Sequence, residues 1–96
     1  MDLHELISKN SNDEVLNLLL KEKKNNNIEK IINKVDEYGN TPLHLAVSSN
    51  NQKIAHLLIK FGASPEIVNA RGEEVIWIPI EKKNKHFVTG KRIIKN

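Results

Sequence analysis

The segment spanning residues 36–47, Asp-Glu-Tyr-Gly-Asn-Thr-Pro-Leu-His-Leu-Ala-Val, constrains the fold of this chain more than any other. Its first five residues are typical of a turn, with Gly39 supplying a position of positive φ. Thr41 is a good helix N-cap, because its hydroxyl can accept a hydrogen bond from a free backbone N–H of the first turn. Pro42 suits the first helical position, where its missing N–H costs nothing. The segment therefore predicts a tight turn followed directly by a short helix.

A second helix is predicted over residues 52–61. Four apolar residues recur there at i, i+3, i+4 and i+7 and form one stripe: Ile54, Leu57, Leu58 and Phe61. The pair Asn50-Asn51 ends the first helix, since asparagine tolerates the left-handed conformation. Gly62 is expected to end the second helix in the same way. The unit thus consists of a turn, a helix, a turn, a helix and a return loop.

This unit resembles an ankyrin repeat, and the match extends from Asp36 to Val68, one repeat length of about 33 residues. The resemblance depends on residues of the turn, of both helices and of the loop that follows: Asp36, Gly39, Thr41, Pro42, Leu43, His44, Leu45, Ala46, Leu57, Leu58, Gly62 and Ala63. It implies that His44 is structural, with its ring hydrogen-bonded to Thr41 and to the adjacent loop. A single repeat cannot bury its own hydrophobic face, so the fold requires stacked neighbours.

An upstream neighbour is indicated by the aliphatic run Val15–Leu20, which matches Ile54–Ile59 at an offset of 39 along the sequence. This offset exceeds the repeat length by six residues, which we expect in the stretch Lys23–Ile31. That stretch is predicted to be an extended loop or to hold one helical turn at residues 28–32. Residues 1–35 lack the Thr-Pro-Leu-His run and have a polar outer side, which is typical of an N-terminal capping unit.

A downstream neighbour begins at residue 69, because Gly72 follows Gly39 by one repeat length. A normal first helix is not expected there, since Pro79 falls in the middle of it and an interior proline costs about 3 kcal/mol. The alternative is an extended segment paired with residues 86–94. We expect a degenerate unit, with secondary structure left open, that covers the end of the stack. Four apolar residues are candidates for packing on the second helix of the repeat: Ile76, Trp77, Ile80 and Phe87. Trp77 has a second interpretation, as an exposed docking residue.

The predicted fold is therefore all-α, an ankyrin-repeat stack of helix–turn–helix units whose C-terminal unit is degenerate, with a partly β structure as one of its two alternatives. The 96 residues form one domain: a capping unit (1–35), a full repeat (36–68) and a degenerate unit with a basic tail (69–96). Two further interpretations stay open, namely a piece of a longer repeat array and a homodimer whose degenerate ends meet.

The charge is unevenly distributed along the chain. Residues 1–81 hold nine basic and twelve acidic side chains, whereas residues 82–96 hold six basic and none acidic. A basic tail can bind nucleic acid or an anionic surface, although it is more often a solvated terminus. The tail offers only Phe87 for stacking on bases and no recognition helix, so nucleic-acid binding is the less favoured alternative.

Catalytic and metal-binding patterns are not found. The absence of cysteine excludes disulfides, thiol nucleophiles and cysteine-based metal sites. The four histidines lack metal-ligand spacing, and no serine lies in a Gly-x-Ser-x-Gly setting. No apolar run is long enough for a transmembrane helix, and no secretory signal is recognised at the N-terminus. We therefore expect no enzyme activity, no cofactor, no metal and no membrane segment, in a cytoplasmic protein.

The resemblance implies that a partner protein docks on the turn tips and on the inner face of the first helices. In this sequence the corresponding candidates are Glu37, Tyr38, Asn40, Ser48, Ser49, Arg71 and Glu73. Tyr38 is the strongest of them, because aromatic residues often dominate interface energetics; the other interpretation is a tyrosine that merely packs on the next turn. Asn, Lys and Ile supply 38 of the 96 residues, which suits an A/T-rich gene, as in many large DNA viruses and intracellular bacteria. We therefore expect a viral or microbial interaction module whose partner is a host signalling or transcription regulator.

Overall fold

The computed structural model describes residues 2–81 and 84–91, without the side chains of residues 77–85. Within this part the chain forms five helices and one β-hairpin. In chain order the elements are α1 (Leu3–Ser8), α2 (Asn12–Lys24), α3 (Ile28–Ile31), α4 (Pro42–Ser48), α5 (Gln52–Lys60), β1 (Glu73–Glu81) and β2 (Asn84–Lys91). The mostly helical stack with a β-structured C-terminal end confirms the fold predicted from the sequence.

Helix α4 begins where the sequence predicts, because Thr41 and His44 cap it reciprocally. The Thr41 hydroxyl accepts a hydrogen bond from the backbone N–H of His44 (3.2 Å), and His44 Nδ1 accepts one from the backbone N–H of Thr41 (3.1 Å). Pro42 takes the first helical position. Asn50, with φ of 54°, makes the sharp turn into α5, and Asn51 caps α5 by accepting from the N–H of Ile54 (3.2 Å).

Helices α1 and α2 form the N-terminal unit, but their offset from the full repeat differs from the expected value of 39. Asn10 has the same left-handed conformation as Asn50, and the bond from Ser11 N–H to the Leu6 carbonyl corresponds to that from Asn51 N–H to the Ala46 carbonyl. Both correspondences give an offset of 40, so seven residues, not six, are additional to one repeat length. The offset of 39 was wrong because α2 carries leucines on its solvent side as well as on its core side.

The additional residues lengthen α2 and form α3. Helix α2 has 13 residues against nine in α5, and Asn26, with φ of 60°, reverses the chain after it. Helix α3 corresponds to one of the two alternatives predicted for this stretch, the single helical turn rather than the extended loop. Ile32, immediately after α3, is 3% exposed and anchors the insertion to the core.

The C-terminal segment forms an antiparallel hairpin in which Glu73 pairs with Lys91 and Trp77 pairs with Phe87. The N–H of Val75 bonds to the carbonyl of Pro65 (2.9 Å), so the N–H groups of alternate β1 residues point away from β2. Pro79 occupies one of these outward positions, where a residue without an N–H removes no bond of the ladder. The proline that excludes a helix is therefore compatible with this strand.

The hairpin covers the stack through Val75 and Phe87, each 4% exposed, whereas Ile76 is 38% exposed and does not pack as expected. The Phe87 ring lies edge-on to the His56 ring, with 4.9 Å between centroids. The side-chain amide of Gln52 donates to the Phe87 carbonyl (3.1 Å) and accepts from the Phe87 N–H (2.7 Å). The expected packing of Trp77 and Ile80 lies outside the described side chains. One hydrophobic core joins all units: Leu3, Leu6, Ile7, Val15, Leu19, Ile32, Leu43, Ala46, Val47, Ile54, Ala55, Leu58, Ala63, Val75 and Phe87.

Candidate functional site

Two turn tips, residues 36–40 and 69–73, project from the stack and have the same internal hydrogen bonds. In the first tip Asp36 Oδ1 accepts from the N–H groups of Tyr38 and Asn40, both at 2.9 Å. In the second tip Asn69 Oδ1 accepts from the N–H groups of Arg71 and Glu73, both at 3.0 Å. Side-chain acceptors of this kind are why Asp and Asn favour turns.

The two tips are also bound to each other. The N–H of Ala70 donates to the carbonyl of Tyr38 (2.9 Å). Gly39, at φ of 77°, packs so closely on the second tip that a Cβ there would lie 3.0 Å from the Ala70 nitrogen. Gly39 is therefore required both by the turn and by this close approach of two backbones.

Asn69 connects the tips through its side chain as well. Its Nδ2 donates to Asn40 Oδ1 (2.9 Å) and to Glu73 Oε1 (3.1 Å). Because Asn69 Oδ1 already accepts two backbone bonds, its amide orientation is fixed, and Asn40 must present its oxygen to Asn69. Asn40 Nδ2 then has no partner among the described residues and is available to a ligand.

A cleft of about 290 Å³ lies between the tips and the end of α4. We call it the tip cleft, and its lining residues are Tyr38, Asn40, Ser48, Asn69, Ala70, Arg71 and Glu73. Tyr38 is 63% exposed, so its ring is a wall of the cleft and not part of the core.

His44 ties the second tip to helix α4 from beneath. The ring is 1% exposed, and its Nε2 lies 2.8 Å from the Glu73 carbonyl oxygen. Since Nδ1 accepts from the Thr41 N–H, the proton of the neutral ring is on Nε2, which donates to Glu73. This bond fixes the backbone of Glu73 in position relative to helix α4.

His4 holds the first tip in the same manner, which the sequence analysis missed. Its Nε2 lies 3.2 Å from the Asn40 carbonyl oxygen, and Asn40 corresponds to Glu73 one repeat length further along the chain. With the corrected offset of 40, His4 also corresponds to His44. Each tip is therefore bound by a histidine from the first helix of the preceding unit, α1 or α4.

Five of the seven predicted binding residues line the tip cleft together: Tyr38, Asn40, Ser48, Arg71 and Glu73. Glu37 is exposed on the first tip but outside the lining, and Ser49 lies at the end of α4, where its hydroxyl donates to the Leu45 carbonyl (2.9 Å). Asn69 lines the cleft although it was not among the predicted binding residues. The spacing of one repeat length from Asp36 to Asn69 was the signal that could have identified Asn69.

A cluster of metal-ligating side chains is not found in the described part of the chain. Among residues 2–81 and 84–91, no three His, Asp or Glu side chains cluster closely enough to hold a metal ion. No helix in the described residues is long and apolar enough to cross a membrane.

Comparison with known proteins gives relatives in bacteria, viruses and animals. The chain is 39% identical over 77 residues to an ankyrin repeat protein of Rickettsia bellii, covering 80% of this chain and 46% of the relative. It is 37% identical over 62 residues to ankyrin repeat protein L92 of Acanthamoeba polyphaga mimivirus, covering 65% of this chain and 14% of that protein. It is 45% identical over 49 residues to human ankyrin repeat domain-containing protein 13C, covering 51% of this chain and 8% of that protein.

The chain thus spans less than half the length of these relatives. No solved structure gives a significant match to it. A family model described as ankyrin repeats in three copies matches residues 3–88. Ankyrin repeats are a general protein–protein interaction module, and the family is typically non-enzymatic. With about nine-tenths of its residues in this match, the chain belongs to the ankyrin repeat family.

Proposed function

We propose that this chain is a non-enzymatic module that binds a partner protein through the tip cleft. The observation that carries the proposal is the exposed ring of Tyr38 on a cleft whose polar residues are held by a fixed hydrogen-bond network. A rigid aromatic side chain beside oriented polar groups is typical of an interface hot spot.

The cleft is preorganised for binding, because both of its walls are fixed before any partner arrives. The backbone bond from Ala70 to Tyr38 joins the two tips, and His4 and His44 support them from below. A partner therefore does not have to order these loops, which lowers the entropic cost of association. Little change in backbone conformation is expected on binding.

The tip cleft offers more unpaired hydrogen-bond donors than acceptors, so the partner group that enters it must mainly accept hydrogen bonds. Asn40 Nδ2, the Ser48 hydroxyl, the Tyr38 hydroxyl and the Arg71 guanidinium have no partner among the described residues. Main-chain carbonyl groups of an extended partner segment fit this arrangement, with the second carboxylate oxygen of Glu73 accepting from a partner N–H.

A host protein in the cytoplasm is the proposed partner. The abundance of Asn, Lys and Ile and the similarity to proteins of Rickettsia bellii and of a mimivirus support a microbial or viral origin. Signalling and transcription regulators of the host are the classes that we propose to examine first.

The test is capture of partners from cytosolic extract on the immobilised full chain, eluted in steps of increasing salt. Captured proteins are identified and their affinity is then measured directly for the wild type, for Tyr38→Ala and for Leu20→Ala. Leu20 is 51% exposed on α2 and lies outside the cleft, so it is the matched control. We expect Tyr38→Ala to weaken binding by roughly 2 kcal/mol, about thirtyfold, with Leu20→Ala unchanged.

A partner that binds Tyr38→Ala as tightly as the wild type would remove the tip cleft from the binding surface. The basic tail is tested in parallel, with Lys82, Lys83, Arg92 and Lys95 replaced together by Gln; these residues lie outside the described part of the chain. If the captured material is nucleic acid, is released at moderate salt and is lost with these four charges, the tail is the functional part.

A further inference from the structure

A second cleft, of about 240 Å³, lies in the N-terminal unit, outside the tip cleft. We call it the N-terminal cleft. Its lining residues are Asp2, Leu3, His4, Leu18, Glu22, Ile31 and Lys34. It is formed by the first turn of α1, by the middle of α2 and by the inserted residues around α3.

The insertion is what makes this cleft. The seven residues that exceed one repeat length lengthen α2 and form α3, and this region places Ile31 and Lys34 in the lining of the cleft. The extra length of α2 supplies Glu22 on the opposite wall. The corresponding place in the full repeat has neither element, since α5 ends at Lys60 and a short loop follows.

The interior of the cleft is apolar. Leu3 is 3% exposed, and Leu18 and Ile31 are half-buried at the margin of the hydrophobic core. The ring of His4 is held in the cleft lining by its hydrogen bond to the Asn40 carbonyl. The cleft can therefore cover a few methylene or methyl groups.

Two carboxylates border this apolar surface. Asp2 uses one oxygen to accept from the N–H of Glu5 (2.9 Å), which leaves its other oxygen available. Glu22 is half-buried, and no hydrogen bond or ion pair links its carboxylate to another residue of the described chain. Lys34, the basic residue of the lining, is exposed and forms no ion pair with either of them within residues 2–81 and 84–91.

An apolar floor bordered by two carboxylates that form no ion pair within the described residues is complementary to a long basic side chain. The stem of such a side chain packs on apolar surface while its charged end meets the acceptors. The volume is below the roughly 300–1,000 Å³ typical of small-molecule sites but accommodates a single side chain. We infer that the N-terminal cleft binds an arginine side chain presented by a protein partner, with its stem on Leu3, Leu18 and Ile31 and its guanidinium at Asp2 and Glu22.

Lys34 gives this site a counteracting charge. Its flexible ammonium group is close enough to line the same cleft as Glu22 and therefore competes with an incoming guanidinium. Removing the Lys34 charge should strengthen arginine binding, whereas removing the Glu22 charge should weaken it. Opposite effects of two substitutions in one cleft are not expected from general destabilisation.

The experiment is an NMR titration of the full, ¹⁵N-labelled chain with the peptide acetyl-Gly-Leu-Arg-Leu-Gly-amide. The control peptide carries citrulline, a neutral isostere of arginine, at the central position. We expect saturable shifts of the Leu3, Leu18 and Ile31 amides with the arginine peptide, and binding about two- to fivefold tighter than with citrulline. Glu22→Gln should abolish this preference, Lys34→Met should increase it, and Glu29→Gln, outside the cleft, should leave it unchanged.

The inference is overturned by equal binding of the two peptides to the wild type. A site with a Kd near 1 mM is more than half occupied at about 5 mM peptide. The inference is therefore also overturned if the arginine peptide at that concentration gives no shift at these amides. Thermal unfolding of each variant verifies that the fold is retained. Since Tyr38→Ala does not touch this cleft, its outcome in the partner-capture experiment is independent of the outcome here.

Discussion

The tips at residues 36–40 and 69–73 have the same internal hydrogen bonds, yet the chain continues differently after each. After the first tip Thr41 and Pro42 begin a helix, whereas after the second Glu74 and Val75 continue a strand. The tips remain alike because an acceptor side chain at the first position and a glycine at the fourth determine their conformation locally. The conformation of the tips is thus independent of the secondary structure that follows them.

The difference after the tips is one of capping chemistry. Thr41 supplies a hydroxyl to the first turn of α4 and Pro42 fits its first position, whereas Glu74-Val75-Ile76 offers β-branched residues and no such cap. The strand nevertheless contributes to the same core as the helices.

The largest effect is expected from truncating a core side chain on either side of the comparison. Leu58→Ala in α5 and Phe87→Ala in β2 should each lower the free energy of unfolding by about 2–5 kcal/mol, because both side chains lie in one core. Urea unfolding followed by circular dichroism measures this, with Leu20→Ala as an exposed control. A loss below about 1 kcal/mol for Phe87→Ala alone would mean that the hairpin is only loosely attached to the stack.

A smaller effect is expected from the histidines that support the tips. His44→Ala should cost about 2–4 kcal/mol, because it leaves the buried Thr41 N–H without a partner, removes one of the two hydrogen bonds to the Glu73 carbonyl, and removes a buried ring. His4→Ala should cost about 1 kcal/mol, since that residue is half-buried and has a single bond to Asn40. Thermal unfolding measures the loss of stability for both variants. A larger loss for His4→Ala than for His44→Ala would contradict this prediction.

The smallest effect distinguishes the two residues that begin the tips. Asp36→Asn should change stability by less than about 0.5 kcal/mol, because only Oδ1 accepts the turn bonds and asparagine retains that oxygen. Asn69→Asp should cost about 1 kcal/mol, because it removes both Nδ2 bonds and brings a second carboxylate against Glu73. Equal values in urea unfolding would show that the Asn69 side chain does not connect the tips.

Much of the central unit could be predicted from the sequence because its determinants are local. Gly39, Thr41 and Pro42 act on backbone groups close to them in the chain, so their spacing alone indicates the turn and the start of α4. An extended segment at Pro79 was predicted only as an alternative, because the sequence does not show which N–H groups of a strand point outward.

The arrangement of the N-terminal unit was harder to predict. Leu16 and Leu20 are 37% and 51% exposed, and their presence beside the core leucines made an offset of 39 match better than the true 40. Single exposed leucines are normal on protein surfaces, so an aliphatic run does not define one face of a helix. The turn at Asn10 was the better signal, because its left-handed conformation repeats at Asn50.

The two clefts could not be predicted from local patterns, because each is formed by residues distant along the chain. Asn69 helps to form the tip cleft through a bond to Asn40, 29 positions away, and Asp2 and Glu22 line the N-terminal cleft together although they are distant in the sequence. Tyr38 and Arg71 were recognised by residue type, whereas the second role of Asn69 depends on how the tips stack.

The bond pair between Gln52 and Phe87 has a consequence for solubility. A two-stranded sheet has two open edges, and β1 contains the sequence Val-Ile-Trp-Ile-Pro-Ile, which is rich in residues of high β-propensity. Pro79 withholds a donor from the outer edge of β1, and Gln52 occupies the outer edge of β2 as a neighbouring strand would. Gln52 and Pro79 thus protect this hairpin from pairing with strands of other chains. The loss of Gln52 is therefore expected to cause aggregation before it causes unfolding.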